Sequence, residues 1–346
     1  MPKVSVLLPT YNNETTLGAA IDSILGQTFA DFELLVIDDA SSDGTPALLA
    51  KYTDPRLRII RNETNLKIVA ALNSGLDQAK GDYIARMDAD DISLPKRFAL
   101  QCAYLDSHPP IGVVGSWIEI FGTQRVSYIH RCPATHDEII AASFFVNPMA
   151  HPTVMMRRSA LAGAHYATDY PYAEDWELWC RLMETLRFAN MQEVLVRYRI
   201  KPSVGTPAVS HSQSGKERLL RTNITRLGLS PDNLAVHMLI TDHAVTDAQG
   251  LRAIEAYLSD VVAGNKVAMR YPLRTFEQEV GRQWFMCSRA AWSSNLACWY
   301  VFKKSPLRAF GGYGLGEVTL LAVRIQVWRA RGWLRAKLKR YGFLKK

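Results

Sequence analysis

Between Lys3 and Met87 the chain repeatedly sets a short β-rich apolar run ahead of a stretch with helical spacing, and that alternation leaves few folds open. The strand candidates are Val4 to Pro9, Glu33 to Ile37, Leu57 to Ile60 and Asp82 to Met87. Within Glu14 to Gln27, Leu17, Ala20, Ile21, Ile24 and Leu25 recur at helical intervals, and Ile68 to Ala79 reads as another helix. Connections of this length imply right-handed βαβ units. The expected fold class is α/β, a mostly parallel sheet flanked by helices and followed by a helical C-terminal region.

In open α/β sheets ligands bind beyond the carboxyl ends of the strands. Here those ends carry Tyr11-Asn12, Asp38-Asp39 and Asp88-Ala-Asp90, the last within G-D-Y-I-A-R-M-D-A-D-D-I-S-L from Gly81 to Leu94. In extended backbone, residues two apart share a side, so Asp88 and Asp90 are expected to project together with Ala89 turned away. Such a pair of oxygen donors suits Mg2+ or Mn2+, a cation that usually serves a phosphate. The plainer alternative is a solvated acidic loop capping the helix that starts near Pro95. The neighbouring polar strand ends favour the cation. Neither G-x-G-x-x-G nor G-x-x-x-x-G-K-[ST] occurs, so neither a dinucleotide site nor a P-loop explains the pattern.

V-S-V-L-L-P-T-Y-N-N-E, V-I-D-D-A-S-S-D-G-T and G-D-Y-I-A-R-M-D-A-D-D, in that order, resemble the family 2 glycosyltransferases, inverting enzymes of the GT-A fold. The resemblance covers roughly residues 3 to 200. It implies donor-binding roles for Pro9, Tyr11, Asp39, Arg86 and Asp88: Tyr11 stacking on the nucleotide base, Asp39 hydrogen-bonding it, Arg86 near the diphosphate and Asp88 near ribose and metal. It makes Asp90, with Asp88, the metal ligand; Asp91 beside them is a further candidate site residue. After Asn65-Leu66 the family often has glycine where this chain has Lys67, whose ammonium is read as lying in water.

Beyond Pro95 a helix to about Ser107, a strand from Ile111 to Phe121, a polar hairpin-like piece and a helix near His136 to Phe145 are expected to build the acceptor side. His151 to Arg158 reads as a strand with a histidine at its entry. His151 either orients a carboxylate, lies near the metal or is a satisfied structural histidine. In Tyr170 to Leu182, Asp175, Leu178, Trp179 and Leu182 fall on one helical face. Asp175 there either favours the helix N-terminus electrostatically or, as the resemblance implies for a Glu-Asp pair before an aromatic residue, is the catalytic base, with Glu174 second. A strand at Val194 to Ile200 leads to Lys201, where many relatives carry histidine near the diphosphate.

Lys201 to Gly215 is rich in Pro, Ser, Gly and Thr and reads as a boundary. The expected domains are 1–203, nucleotide-sugar-binding and catalytic, 204–322, helical, and 323–346, a basic amphipathic tail. Gln278 to Trp284 superficially resembles the Q-x-x-R-W signature of processive synthases, but its spacing differs by one. The net charge of +8 is concentrated in the tail, where Val323 to Lys346 hold nine basic residues and no acidic one. With Val327, Ala330, Leu334, Leu338 and Tyr341 at helical spacing, this segment suits a helix on an anionic membrane surface, or a solvated helix packed on the body. No motif supports nucleic-acid binding.

Five cysteines without a C-x-x-C pair argue for a reducing compartment, and no apolar run reaches the ~18 residues of a membrane span. With a strand beginning at Lys3, no signal peptide is expected, so the chain is placed in the cytoplasm, peripheral on the inner face of the membrane. These readings converge on a metal-dependent hexosyl- or N-acetylhexosaminyltransferase. It would move sugar from a nucleotide-sugar, UDP-linked, to a saccharide or lipid-linked saccharide in cell-surface polysaccharide synthesis. Two alternatives are a sugar nucleotidyltransferase, which should show a Gly-rich loop where this chain has P-T-Y-N-N, and a non-catalytic membrane-associated nucleotide-sugar binder.

Overall fold

The computed structural model describes residues 1–122, 127–200, 208–292 and 296–312. In chain order the first elements are β1 (Val4–Thr10), α1 (Leu17–Leu25), β2 (Phe32–Asp38), α2 (Thr45–Leu49), β3 (Leu57–Arg61), α3 (Lys67–Gln78) and β4 (Tyr83–Arg86). Then come β5 (Ile92–Ser93), α4 (Arg97–Ser107), β6 (Ile111–Phe121), β7 (Tyr128–His130), α5 (His136–Ala142), β8 (Met155–Arg157), α6 (Arg158–Leu161), α7 (Glu174–Leu182) and β9 (Arg187–Arg199). The helical region is α8 (Ala208–Thr225), α9 (Leu234–Thr241), α10 (Ala248–Ala268), α11 (Leu273–Trp292) and α12 (Leu296–Lys304).

The chain divides into two compact units. Among the described residues, one holds those of Met1–Ser143 and Asn147–Leu219, the other Phe144–Val146 and those from Leu220 to Gly312. In the first, one sheet runs β3-β2-β1-β4-β8-β6-β9-β5, with β7 paired to β6. β3, β2, β1 and β4 are parallel, as the alternating pattern predicts, because each crossover carries a helix back across the sheet. β8 enters antiparallel between β4 and β6, β6 and β9 are parallel, and β5 pairs antiparallel with β9. β1 and β2 are buried at every position, which is why they read as unbroken apolar runs rather than alternating ones.

Several local expectations shift. The strand expected from His151 to Arg158 is divided: His151–Thr153 forms a 3-10 turn and only Met155–Arg157 is strand. Pro152 in this segment lacks the N–H a ladder needs. The helix near His136 stops at Ala142 and begins with a capping box between Thr135 and Glu138. β9 begins at Arg187, seven residues before the expected start, and reaches that length through register shifts against β6.

The second unit is held by rings. Phe144 packs edge-on against Phe145, His237, Tyr271 and Phe276, and Tyr271 stacks on Phe276 with centroids 4.5 Å apart. Trp284 and Trp292 are buried and pack on Phe302. At Gly281 the backbone of Gly311 lies where a Cβ would stand, so this close approach requires glycine. Among the described residues no helix is long and apolar enough to cross a membrane. Lys201 and the segment from Val323 to Lys346 lie outside the described residues.

Candidate functional site

The carboxyl ends of β1 and β2 are knitted together by short side chains. Asn12, with a φ of 52°, donates its N–H to Ser41 Oγ at 3.0 Å and accepts that of Ser42 at Oδ1 at 2.9 Å. Asn13 N–H reaches Thr45 Oγ1 at 2.9 Å, and Asp38 Oδ1 accepts Ser41 N–H at 3.0 Å. Much of the polar run after β2 is therefore spent on backbone donors. Pro9 is buried within β1, whereas Tyr11 stands 47% exposed at its end. Asp39 is 4% exposed and accepts from Asn62 Nδ2 at 2.7 Å, Leu66 N–H at 2.9 Å and Lys67 N–H at 2.8 Å. It braces the turn into α3 and retains one of its roughly four lone-pair positions.

The acidic segment departs from the extended geometry expected for it. β4 ends at Arg86, and Asp91 N–H bends back to Asp88 O at 3.4 Å. This turn brings Asp91 to Asp88 and Asp90, so that one carboxylate oxygen from each lies within 4.8 Å of the others. Side-chain alternation in a strand would have left Asp91 on the opposite side from the other two. The set fits a hard divalent cation. All donors are carboxylate oxygens, and Asp91 Oδ2 is buried without a hydrogen-bond partner. Burial, with Asp88 beside it, pushes the Asp91 carboxyl up to about 8. Asp88 also forms an ion pair with the buried Arg86, so any cation shares that carboxylate with a guanidinium.

Three residues not singled out as site candidates support this region, Arg199 fastening the turn itself and Arg97 with Gln101 bracing the end of β4 ahead of it. Arg199, at the end of β9, donates its N–H to Asp91 Oδ1 at 2.7 Å and its Nε–H to Asp90 O at 2.8 Å. Arg97 is fully buried, donates to Arg86 O at 2.8 Å and to Gln101 Oε1 at 3.0 Å, and has no carboxylate among its hydrogen-bond acceptors. Gln101 in turn donates to Thr153 O at 2.7 Å. Arg97 follows the acidic cluster closely in sequence, within Pro95-Lys96-Arg97, whereas nothing local marks Arg199.

Glu174 and Asp175 open α7, whose Leu178, Trp179 and Leu182 are buried as their spacing predicts. Burial raises the Asp175 carboxyl, while Asn147, which donates to its Oδ2 at 2.7 Å, the Trp176 N–H and Arg86 pull it down. Glu174 Oε2 is buried without a partner, and burial reinforced by Asp175 pushes this carboxyl up to about 7. His151 is buried with Nδ1 3.8 Å from Asp175 Oδ2 and Nε2 2.9 Å from the Tyr166 hydroxyl. Its polar neighbours are thus Tyr166, within hydrogen-bond distance, and Asp175, beyond it.

Arg86 links the two groups. Its charge acts on Asp91 on one side and on Glu174, Asp175, His151 and Tyr166 on the other. Residues far apart in sequence thus share one electrostatic neighbourhood. Tyr166 and Asn147 had no sequence signal, because their significance lies entirely in what they touch.

Glycosyl transferase family 2 matches residues 5–163 of this chain. EpsE of Bacillus subtilis (strain 168) is 40% identical over 205 residues, 57% of this chain and 73% of that protein. The amylovoran biosynthesis glycosyltransferase AmsE of Erwinia amylovora is 33% identical over 56% of this chain and 75% of its own length. The Escherichia coli protein named UDP-Glc:alpha-D-GlcNAc-diphosphoundecaprenol beta-1,3-glucosyltransferase WfgD is 28% identical over 58% and 78%. Among solved structures, S. aureus TarS 1-349 in complex with UDP-GlcNAc matches with a TM-score of 0.52 at 19% identity, over 89% of this chain and 88% of that one. The mannosyltransferase PcManGT from Pyrobaculum calidifontis, in complex with GDP-Man and Mn2+, gives 0.52 at 17% identity over 95% and 88%. The architecture is GT-A-like.

Proposed function

Since the chain belongs to glycosyl transferase family 2, we propose that it transfers a hexosyl or N-acetylhexosaminyl group from a UDP-linked donor, with inversion, to a hydroxyl of a saccharide or lipid-linked saccharide in cell-surface polysaccharide synthesis. The observation that carries this reading is the carboxylate trio Asp88, Asp90 and Asp91, ion-paired through Asp88 to the buried Arg86, whose charge also lowers the Glu174 and Asp175 carboxyls. A donor diphosphate and a proton acceptor are what a displacement at an anomeric carbon needs within one site. The names of AmsE and WfgD support the polysaccharide setting and the lipid-linked acceptor.

Tyr11 takes the nucleotide base on its exposed ring, beside Asp39. Asp88, Asp90 and Asp91 would hold Mg2+ or Mn2+. When bound, that cation supplies positive charge to a leaving diphosphate. Arg86, ion-paired to Asp88, adds a fixed positive charge that is already desolvated and so strong in its effect. Asp175 removes the proton of the acceptor hydroxyl; the oxygen bonds to the anomeric carbon as the sugar–phosphate bond breaks, and its electron pair stays on the diphosphate. Glu174, raised to about 7, is partly protonated near neutrality and serves less well as the base.

The test is a screen of UDP- and GDP-sugars with Mn2+ or Mg2+, reading thermal shift and slow release of nucleotide, for wild type and Asp175→Asn. The expected result is a donor- and metal-dependent shift in both proteins, with nucleotide release lost in the variant. No shift with any donor and either metal removes the donor and metal assignments; undiminished release by Asp175→Asn removes the base.

A further inference from the structure

Asp175 is held by a second layer that the reaction described above leaves unused. Tyr166 is 2% exposed, and its hydroxyl lies 2.9 Å from His151 Nε2. Its backbone is clasped by Asn73 of α3, which accepts Tyr166 N–H at 2.8 Å and donates to Tyr166 O at 3.0 Å. The other imidazole nitrogen, Nδ1, lies 3.8 Å from Asp175 Oδ2. Trp179 of α7 packs edge-on against the His151 ring, centroids 5.7 Å apart, which fixes the plane of the imidazole. A buried phenol, a buried imidazole and a carboxylate therefore stand in a row.

A neutral imidazole carries one proton, and the two possible tautomers have opposite consequences here. With the proton on Nε2, a lone pair on Nδ1 faces the Asp175 carboxylate and repels it. With the proton on Nδ1, the N–H dipole points at the carboxylate, and Nε2 is free to accept the tyrosine O–H. We propose that Tyr166 and His151 act as a positioning pair for Asp175, the phenol fixing the imidazole tautomer that presents Nδ1–H to the carboxylate. This rests on the reading of Asp175 as the base.

The charged and titratable groups facing Asp175 from the elements around it are Glu174 on its own helix, Arg86 from β4, His151 from the 3-10 turn and Tyr166 from the loop after α6. Asn147 contributes a neutral donor. His151 is held well below its ordinary range, by burial and then by Arg86, so it stays neutral and works as an oriented dipole. Asp175 can then remain ionised in a buried place that would otherwise favour its acid form. Neither Tyr166 nor His151 touches substrate in this scheme.

The experiment uses the full chain and two variants. Tyr166→Phe keeps the ring and the Asn73 clasp and removes only the O–H. His151→Asn keeps an amide N–H toward Asp175 and abolishes tautomerism. Long-range 15N NMR of the His151 ring in the wild type is expected to show Nδ1 protonated and Nε2 not; the reverse overturns the proposal. In Tyr166→Phe the acidic limb of the pH–rate profile for donor hydrolysis should move to higher pH, with kcat on that limb falling roughly tenfold and donor KM unchanged. A superimposable profile overturns the proposal, as does an effect of Tyr166→Phe that persists undiminished in a His151→Asn background. Should Tyr166→Phe fail to fold, the wild-type NMR assignment and the His151→Asn profile decide, since His151→Asn should keep the acidic limb near its wild-type position. If Asp175→Asn retains hydrolysis, the base reading fails, while the NMR result still judges the Tyr166–His151 pair.

Discussion

Lys67 donates its backbone N–H to Asp39 Oδ2 at 2.8 Å while holding a φ of 72°. Left-handed backbone here strains a lysine but not a glycine, which gives the glycine expected from the family resemblance a backbone reason. The Lys67 side chain is exposed, in keeping with an ammonium in water. Replacing it by glycine should relieve the strain and raise stability by about 0.5–1 kcal/mol in urea unfolding, with donor affinity unchanged. A tenfold loss of donor affinity would place the ammonium on the diphosphate instead.

Asp91→Asn keeps an acceptor for the Arg199 N–H and removes a buried carboxylate raised by burial and by Asp88. Without metal the variant should be at least as stable as wild type. With Mn2+ at about one hundred times its dissociation constant, wild type should gain about 2.7 kcal/mol. The variant should gain little. An equal Mn2+ response in both proteins would exclude Asp91 from the cation site.

Glu174 ties stability to pH. Its carboxyl rises from 4.5 in the unfolded chain to about 7 in the folded one. Between those values the native state binds the extra proton, so stability falls as pH rises through this window and stays reduced above it. Glu174→Gln should match wild type near pH 4 and exceed it by about 3 kcal/mol near pH 8. Melting curves across that range check it, and a difference independent of pH would show that burial does not govern this group.

Gly115 in β6 has Asn190 Oδ1 occupying the place of a Cβ, with Met149 Cε at 2.9 Å and Thr153 Oγ1 at 3.2 Å from it. Thr153 Oγ1 also accepts Ser116 N–H at 3.0 Å. Gly115→Ala should cost about 1–3 kcal/mol by overpacking. Because Thr153 lies in the turn that carries His151, the variant should lose donor hydrolysis beyond its loss of stability. Denaturant titration and kinetics on the folded fraction separate the two.

The basic segment from Val323 to Lys346 should bind anionic vesicles and ignore neutral ones, each basic residue near the surface adding about 1 kcal/mol. Vesicle co-sedimentation of the full chain in low and high salt tests this. Equal binding to neutral and anionic vesicles, or none lost on deleting the segment, would remove the membrane assignment.

By itself the sequence determined what depends on local periodicity. Unbroken apolar runs such as Leu34 to Ile37 require burial on both faces, and the helices between them require crossovers; together they impose the parallel half of the sheet and put Tyr11, Asp39 and Asp88 at strand ends. Tertiary structure decided what depends on meeting. Beyond that strand end the acidic segment turns back instead of staying extended, with Arg199 fastening it from β9 and Arg97 holding the Arg86 carbonyl ahead of it, and that turn adds Asp91 to Asp88 and Asp90. Likewise Asn147 and Tyr166 are unremarkable in their own segments, and His151 stands out there only as a histidine with several open readings; their surroundings are set by Asp175 and Arg86. Periodicity is written in neighbouring residues, whereas a buried charge is tuned by whichever dipoles the completed fold brings to it.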